Sequence, residues 1–280
     1  GRSPTNPLNP LNSLMKTLKV RLFTPMKTWM MRLMMSNIVT PDWPAPLNVK
    51  AIQTTRRGGF SQDPAYAEFN LSDNVGDHPS HVTQNHKHLH KSLSSQVYWL
   101  NQVHGVNIID LPNNNMFDAD GAYTSQEKVI CAVRTADCLP ILLTDDKGSF
   151  VSAIHAGWKG LGLGIIESAI KKINVEHNII AWLGPCIGKD KFEVGQNVFS
   201  HFVDNDPSTE TTFKACKGDK FLLDLVSAAH IKLKNLGIVS IYGNGITQDY
   251  CTYQQADTFF SYRRDKDTGR MATLVWIDNN

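Results

Sequence analysis

The sequence predicts an α+β fold, a single domain of mixed β-sheets flanked by helices. Short apolar runs rich in Val, Ile, Leu and aromatic residues outnumber the helical patterns along the chain. The two kinds of pattern do not alternate regularly, as they would in a doubly wound parallel sheet. No internal repeat or linker interrupts the 280-residue sequence after its first segment, so one domain over residues 35–280 is expected.

The predicted strands are short apolar segments bounded by Gly, Asn, Asp or Ser. In chain order they are Val97–Leu100, Val106–Leu111, Val129–Arg134, Leu139–Thr144, Phe150–Ile154, Ile179–Leu183, Val239–Tyr242, Thr258–Ser261 and Met271–Ile277. We expect a hairpin from Leu139 to Ile154, with its turn at Asp146-Lys147-Gly148. Antiparallel pairing would then bring Cys138 and His155, at the two ends of this hairpin, close together.

Three helices are predicted from apolar side chains spaced by about 3.6 residues. Phe221–Leu236 has the clearest pattern and stops before Gly237, and Leu161–Ile173 and Gly195–Val203 are the other two. A His-rich segment that contains His81, His86, His88 and His90 is interpreted as an exposed polar helix. The spacing of His86 and His90 by four residues leaves a helical metal clamp as the alternative.

The first 41 residues differ in composition from the rest of the chain. They contain no Asp or Glu, and residues 1–35 hold six of the eight methionines. Residues 1–34 are therefore interpreted as a leader or vector-derived segment outside the fold, with Met35 as the natural start. Without the six basic residues of this stretch, 22 Lys and Arg stand against 26 Asp and Glu, so no nucleic-acid-binding face is expected.

Cysteine usage and hydropathy restrict the surroundings in which the chain works. The five cysteines are odd in number and lack paired short spacings, which disfavours a disulfide framework and a CxxC zinc module. No run approaches the roughly 18 apolar residues of a membrane-spanning helix. We therefore expect a cytoplasmic protein that has no membrane or nucleic-acid partner.

Polar and reactive residues are concentrated in three segments that lie between predicted strands or at a strand–helix junction. These segments are Asn101–Gly105, Arg134–Pro140 and Ile154–Gly160. They contain His104, Cys138 and His155, three N and S ligands that would leave a fourth tetrahedral position open, as catalytic zinc requires. A Cys–His nucleophilic pair and a simple core thiol are the alternatives that the residues leave open.

An ordered set of longer motifs resembles the bacterial laccase-domain family. The motifs are NQVHG (101–105), DADGAYT (118–124), RTADCLPILL (134–143), IHAGWKGL (154–161), WLGPCIG (182–188), FEVG (192–195) and FFSYRRD…TGRMATLVWI (259–277). The family also goes by the names multicopper polyphenol oxidoreductase, peptidoglycan editing factor and purine nucleoside phosphorylase. The resemblance implies one α+β domain with a mononuclear metal site, usually zinc, whose ligands match His104, Cys138 and His155. Copper is the alternative metal.

The resemblance also implies purine nucleoside chemistry, with purine nucleosides and phosphate as the binding partners and no protein partner evident. The implied reactions are phosphorolysis of adenosine, inosine, guanosine and methylthioadenosine, and deamination of adenosine. Two alternatives come from the other family names. One is a laccase-type polyphenol oxidase, which would need several coppers. The other is a protein that edits peptidoglycan precursors.

Both implied reactions require further residues, which we choose by residue type and position. Deamination needs a proton shuttle, for which Asp137 beside Cys138 is the first candidate and Asp120 the second. Phosphorolysis needs an anion site, for which Arg56 and Arg57 are preferred because the glycines that follow them expose backbone N–H groups. Arg263 is the further candidate for phosphate binding.

Deleting residues 1–34 is expected to leave catalytic activity and the melting temperature nearly unchanged, because no family motif reaches this segment. The measurement compares the full chain with the truncated chain by thermal melting and by activity assay. A large loss of either property would show that the leader packs on the domain.

Overall fold

The structure is a computed structural model, and it describes residues 37–93, 95–113, 115, 118–175 and 178–279. The predicted leader, residues 1–34, lies outside the described residues, so its dispensability stays a prediction. The described residues fold into one body of mixed sheets with helices on their outer faces, which confirms the predicted fold class.

Strands and helices are numbered separately in chain order. The strands are β1 (Ile38–Val39), β2 (Val49–Thr54), β3 (Gln96–Tyr98), β4 (Ile108–Asp110), β5 (Gly121–Thr124), β6 (Val129–Thr135), β7 (Leu139–Asp145), β8 (Val151–Ala156), β9 (Ile179–Leu183), β10 (Glu193–Gly195), β11 (Phe213–Ala215), β12 (Lys220–Leu223), β13 (Ser240–Gly243) and β14 (Met271–Ile277). The α-helices are α1 (Pro79–Lys91), α2 (Trp158–Leu163), α3 (Ile165–Ile173), α4 (Gln196–Asn205), α5 (Leu225–Asn235) and α6 (Tyr262–Asp265), and a 3₁₀ helix covers Pro207–Thr212.

Two large sheets pack face to face and form the centre of the fold. The first has the strand order β1-β2-β14-β6-β3, and the second has the order β13-β9-β7-β8-β5-β4. Alternation along β6 shows the layering, because Cys131 and Val133 lie in the cluster between the sheets while Ile130 and Ala132 lie on the outer face. The outer face of the first sheet packs against α1, and the outer face of the second packs against α2 to α5.

The predicted hairpin is confirmed. Strands β7 and β8 pair antiparallel, with Pro140 opposite His155 and Leu139 opposite Ala156. Strand β6 belongs to the first sheet and β7 to the second, so residues 136–138 carry the chain from one sheet to the other. Cys138 therefore lies at an end that both sheets share, next to His155 on β8.

The strand predictions are accurate where the pattern is strongly apolar and wrong at one segment. Ile179–Leu183 and Met271–Ile277 have the predicted bounds. Thr258–Ser261 is not a strand, because the N–H groups of Thr258 and Phe259 both donate to the carbonyl of Gln255 and close a turn.

The helix predictions need two corrections. Residues 221–223 of the predicted helix Phe221–Leu236 belong to strand β12, where Phe221 lies opposite Val194 of β10. The predicted helix Leu161–Ile173 is two helices, α2 and α3, which are separated by Gly164 with a φ of 102°. The third helix lies at Gln196–Asn205, close to the predicted Gly195–Val203.

The His-rich segment forms helix α1, which agrees with its interpretation as a helix. Its buried side chains are Val82, Asn85 and Leu89, of which Leu89 packs on the outer face of the first sheet. All five cysteines of the chain are free thiols. Among the described residues, no helix combines the length and the apolarity needed to cross a bilayer. The cytoplasmic location stays a prediction.

The start of α5 gives a test of the corrected helix boundary. The Asp224 carboxylate accepts the backbone N–H of Ser227 at 3.0 Å, so Asp224 caps the helix and Leu225 is its first residue. Asp224→Ala is therefore expected to lower the free energy of unfolding by about 0.5–2 kcal/mol, as loss of an N-cap does. Asp224→Asn keeps the acceptor and serves as the control. If the helix instead began at Phe221, alanine at 224 would be interior and would stabilise the protein.

Candidate functional site

The side chains of His104, Cys138 and His155 meet at the shared end of the two large sheets. One potential ligand atom from each residue lies within 4.8 Å of the other two. The Cys138 Sγ is 3.9 Å from His104 Nε2, and the two imidazole rings are 4.7 Å apart and nearly perpendicular. In the part of the chain that the structure describes, no other three His, Cys, Asp or Glu residues form such a group.

The buried carboxylate of Asp120 shapes the loop that carries His104. It accepts backbone N–H groups from Val103 at 3.0 Å, His104 at 2.9 Å and Gly105 at 2.9 Å. His104 itself adopts a φ of 61°, a left-handed conformation that is uncommon outside glycine. The three hydrogen bonds hold the loop in this conformation and direct the His104 ring toward Cys138.

Asp120 also fixes the second histidine. The His155 Nδ1 lies 2.7 Å from Asp120 Oδ2, and the His155 backbone N–H donates to the Asp120 carbonyl at 2.7 Å. Burial raises the pKa of Asp120, but hydrogen bonds from His155, Gly105 and Val103 outweigh burial and leave this pKa below its ordinary value. An ionised Asp120 keeps the proton on Nδ1, so Nε2 is the nitrogen that His155 presents to a ligand.

The thiol of Cys138 is poised as a thiolate. Burial raises the pKa of this thiol. The charge of His155 and hydrogen bonds with His104 and His155 lower the pKa by more than burial raises it, so the pKa lies below its ordinary value. The thiolate is the form of cysteine that binds metals and acts as a nucleophile.

These residues fit a metal ion. Two imidazole nitrogens and one thiolate suit zinc, and an imidazole held by a carboxylate is the usual arrangement around a catalytic zinc ligand. The same set without a thioether is a poor match to a blue-copper centre, which adds an axial Met or a similar weak ligand. Met271, the one methionine among the described residues, lies in a separate apolar cluster and accepts the N–H of Phe260.

The three residues open into a cavity of about 620 Å³. Its apolar lining includes Trp158, Ile187, Phe192 and Leu225, its basic lining Arg134, Arg263, Lys266 and Arg270, and its polar lining Ser72, Asn74 and Gln102. An apolar wall beside several cations suits a ligand that has both a flat base and an anionic part.

The two predicted catalytic carboxylates lie in different places. Asp137 lines the cavity beside Cys138 and has a φ of 101°. Its carboxylate accepts the Thr252 hydroxyl at 2.6 Å and the Arg263 backbone N–H at 2.6 Å. Asp120 is absent from the cavity lining and lies behind His155. Its geometry fits a positioning role better than the predicted proton shuttle.

The preferred phosphate residues, Arg56 and Arg57, do not line this cavity. The Arg56 guanidinium donates to the backbone carbonyls of Ala67, Ala256 and Pro64. That of Arg57 donates to the carbonyl of Asp257 at 2.6 Å and pairs with two carboxylates. Both side chains therefore connect loops at residues 64–68 and 256–257.

Arg263, the third predicted phosphate residue, does line the cavity. Its Nη1 donates to the Glu193 carbonyl at 2.7 Å, and its guanidinium lies over the Phe192 ring. Arg134 and Arg270, which were not among the predicted phosphate residues, also line the cavity. The signal for them was their position inside the motifs at 134–143 and 259–277.

The glycines of the IHAGWKGL motif allow close packing around the three ligands. A Cβ atom on Gly157 would lie 3.0 Å from Cys138 Sγ and 3.0 Å from His104 Cδ2. A Cβ on Gly160 would lie 2.7 Å from the carbonyl oxygen of Gly105. These contacts agree with a packing role for the glycines.

Comparison with known proteins identifies a matching family and similar proteins. The sequence model of the family described as multi-copper polyphenol oxidoreductase laccase matches residues 50–278. A purine nucleoside phosphorylase of Escherichia coli, YfiH, is 42% identical over 248 residues, which cover 87% of this chain and 100% of the relative. A purine nucleoside phosphorylase of Haemophilus influenzae is 41% identical over 246 residues, which cover 86% of this chain and 99% of the relative.

Solved structures show the same fold. A Neisseria meningitidis protein matches with a TM-score of 0.82 and 43% identity, covering 87% of this chain and 100% of that chain. YlmD from Geobacillus stearothermophilus matches with a TM-score of 0.77 and 27% identity, covering 87% of this chain and 97% of its own.

If His104, Cys138 and His155 hold a metal ion, Gly157→Ala is expected to weaken its binding by about tenfold or more, as changes next to metal ligands commonly do, because the new methyl group presses on Cys138 and His104. Gly105→Ala is the matched control. Its Cβ would meet no atom closer than 3.7 Å although Gly105 also adjoins the ligands. The measurement is zinc affinity by competition with a chelator. Equal affinities for the two variants would contradict the close packing described here.

Proposed function

This chain belongs to the multi-copper polyphenol oxidoreductase laccase family, and from that premise we propose that it is a zinc-dependent purine nucleoside enzyme. The proposed reactions are phosphorolysis of adenosine, inosine, guanosine and methylthioadenosine, and deamination of adenosine. The observation that carries the proposal is the group His104, Cys138 and His155 in a cavity with apolar and cationic walls. The relatives named purine nucleoside phosphorylase support the reaction class.

In this proposal His104, Cys138 and His155 hold one zinc ion per chain. A bound zinc would supply Lewis-acid polarisation of a substrate atom or of water. Asp120 would keep the Nδ1 of His155 protonated and thereby hold its Nε2 ready as a ligand.

Phosphorolysis joins a phosphate oxygen to C1′ of the ribose and breaks the bond from C1′ to the purine nitrogen. The base leaves with the bonding electron pair and takes up the proton that hydrogen phosphate gives up. The chain must therefore hold a dianion under C1′ and a flat base beside it. The cationic side chains and the apolar wall with Trp158 and Phe192 suit these two tasks.

Deamination replaces the amino group of adenosine with an oxygen from water and releases ammonia. Asp137 is the carboxylate that we propose for proton transfer in this reaction, because it lines the cavity next to Cys138. We assign Asp120 to the positioning of His155.

The family description favours a second candidate function, oxidation of polyphenols with copper. Imidazole and thiolate ligands also accept copper. An oxidase with several coppers needs more ligand groups, and the described residues provide the single group at His104, Cys138 and His155. Purine nucleoside chemistry therefore ranks first.

The test incubates the purified zinc-loaded protein with each of the four nucleosides, with and without phosphate. Chromatography then separates adenine, hypoxanthine, guanine, methylthioadenine and inosine. We expect free bases only when phosphate is present. We expect inosine from adenosine both with and without phosphate. Oxidation of a phenol by the copper-loaded protein, with no product from any nucleoside, would reverse the ranking.

Cys138→Ala is expected to abolish both activities and to lower the zinc content from one per chain toward zero, because it removes the thiolate ligand. Cys216→Ala is the matched control, since Cys216 is a partly exposed thiol outside the cavity. Metal analysis and the nucleoside assay are the two measurements. Full zinc in Cys138→Ala would overturn the ligand assignment and leave Cys138 to be tested as a nucleophile.

A further inference from the structure

One side of the cavity carries two cations that form no ion pair with a carboxylate of the described residues. The Lys266 ammonium and the Arg270 guanidinium both line the cavity, and both pack against the ring of Tyr262, at 5.3 Å and 5.8 Å from its centre. Within the described residues, no carboxylate oxygen lies in ion-pair distance of either group. Such cations at the wall of a cavity are an open anion site.

Arg270 has hydrogen-bond donors to spare. Its Nη1 donates to the carbonyls of Thr268 and Gly269, both at 3.0 Å, and these bonds fix the guanidinium in place. Its Nε and Nη2 groups have no acceptor among the described residues. The free edge of this fixed guanidinium carries two parallel N–H groups, which can donate to two oxygens of a tetrahedral oxyanion.

The neighbouring arginines differ in this respect. Arg264 donates to the carbonyls of Thr252, Tyr253 and Phe259 and pairs with the Asp265 carboxylate. Arg263 uses one nitrogen for the Glu193 carbonyl. Arg264 thus braces the chain around α6, whereas Arg270 keeps its donors for a ligand.

The register of the first sheet brings Arg270 close to the ligand group. Met271 lies opposite Thr135 and Ala272 lies opposite Arg134, so Arg270 adjoins the crossing at residues 136–138 and shares a face with Arg134. Burial lowers the pKa of Arg270, while negative charge on Cys138 and Asp137 raises it. The charge of Arg270 contributes to a lowered pKa of Arg134, for which burial is the main cause. Two arginines side by side create a repulsion that a bound anion would relieve.

We propose that Arg270, together with Lys266 on the same Tyr262 ring, forms the subsite that binds the tetrahedral phosphate dianion beside His104, Cys138 and His155. This inference rests on the proposed function and moves its anion site away from Arg56 and Arg57. The Nε and Nη2 groups of Arg270 hold two phosphate oxygens, and Lys266, which packs on the same Tyr262 ring, adds positive charge to the cavity wall.

The test measures binding and turnover separately in the zinc-loaded protein. Binding is the rise in melting temperature with inorganic phosphate at constant ionic strength, with chloride as the reference salt. The kinetic measurement is the phosphate KM of phosphorolysis, with inosine as the nucleoside. The variants are Arg270→Gln, Arg270→Lys and Lys266→Gln. Arg57→Gln and Lys220→Gln are the controls, because they remove equal charge outside the cavity.

For Arg270→Gln we expect a phosphate KM about 10- to 100-fold higher, the usual effect of losing a charge-assisted hydrogen-bond pair. Its melting temperature should no longer respond to phosphate, its zinc content should stay at one per chain, and adenosine deamination should fall far less than phosphorolysis. Arg270→Lys should have a phosphate KM between those of the wild type and Arg270→Gln, because lysine restores the positive charge but not the paired N–H donors of the guanidinium. Lys266→Gln should raise the KM by a smaller factor. A nucleoside 5′-monophosphate in place of inorganic phosphate shows whether the subsite accepts an esterified phosphate as well.

A wild-type response to phosphate in Arg270→Gln would overturn the inference, as would an equal rise in KM for Arg57→Gln. Failure of the proposed function looks different. If the wild-type protein binds phosphate through Arg270 but releases no base, the phosphate subsite is supported and the proposed phosphorolysis is refuted. A wild-type protein that neither binds phosphate nor releases base refutes both. If Arg270→Gln does not fold, Arg270→Lys and Lys266→Gln carry the test.

Discussion

The buried carboxylate of Asp120 is the interaction on which the candidate site depends. Burying a carboxylate away from solvent is costly unless its oxygens accept hydrogen bonds. Here the N–H groups of the loop at 103–105 and the His155 ring supply those hydrogen bonds. The same hydrogen bonds hold His104 in a left-handed conformation and select the tautomer of His155. One side chain therefore sets the direction of two of the three ligands, and the third, Cys138, comes from the crossing between the sheets.

Local patterns in the sequence were enough to predict the part of the site that lies on one hairpin. The turn signal at 146–148 and the apolar runs beside it place Cys138 and His155 together, and the register confirms this. His104 could be added through the family motif alone, because its loop is fixed by Asp120 and by no local periodicity. The helix at 221–236 was misjudged for a related reason, since Phe221 pairs with Val194 of β10, a strand that is distant in sequence.

The arginines show most clearly what a sequence does not reveal. Arg56 followed by glycines has the composition of an anion site, yet one of its donors is taken by a carbonyl 200 residues away. Apart from its place in the motif at 259–277, Arg270 has no local signal for anion binding, and its unused donors follow from the carbonyls of Thr268 and Gly269, which fix only one nitrogen. Whether a guanidinium is available depends on which backbone carbonyls the tertiary fold brings to it, so residue type and spacing were insufficient here.

The cavity lining separates the two activities named for this family better than the ligands do. Two imidazoles and a thiolate accept zinc or copper, and the ligand set by itself leaves both chemistries open. A neutral phenol offers no negative charge to Lys266 and Arg270, neither of which has an ion-pair partner among the described residues. The partial burial of Arg270 beside Arg134 is unfavourable until a negative charge enters. A phosphate dianion provides that charge next to His104, Cys138 and His155. The electrostatics of the wall therefore favour a phosphate-consuming reaction.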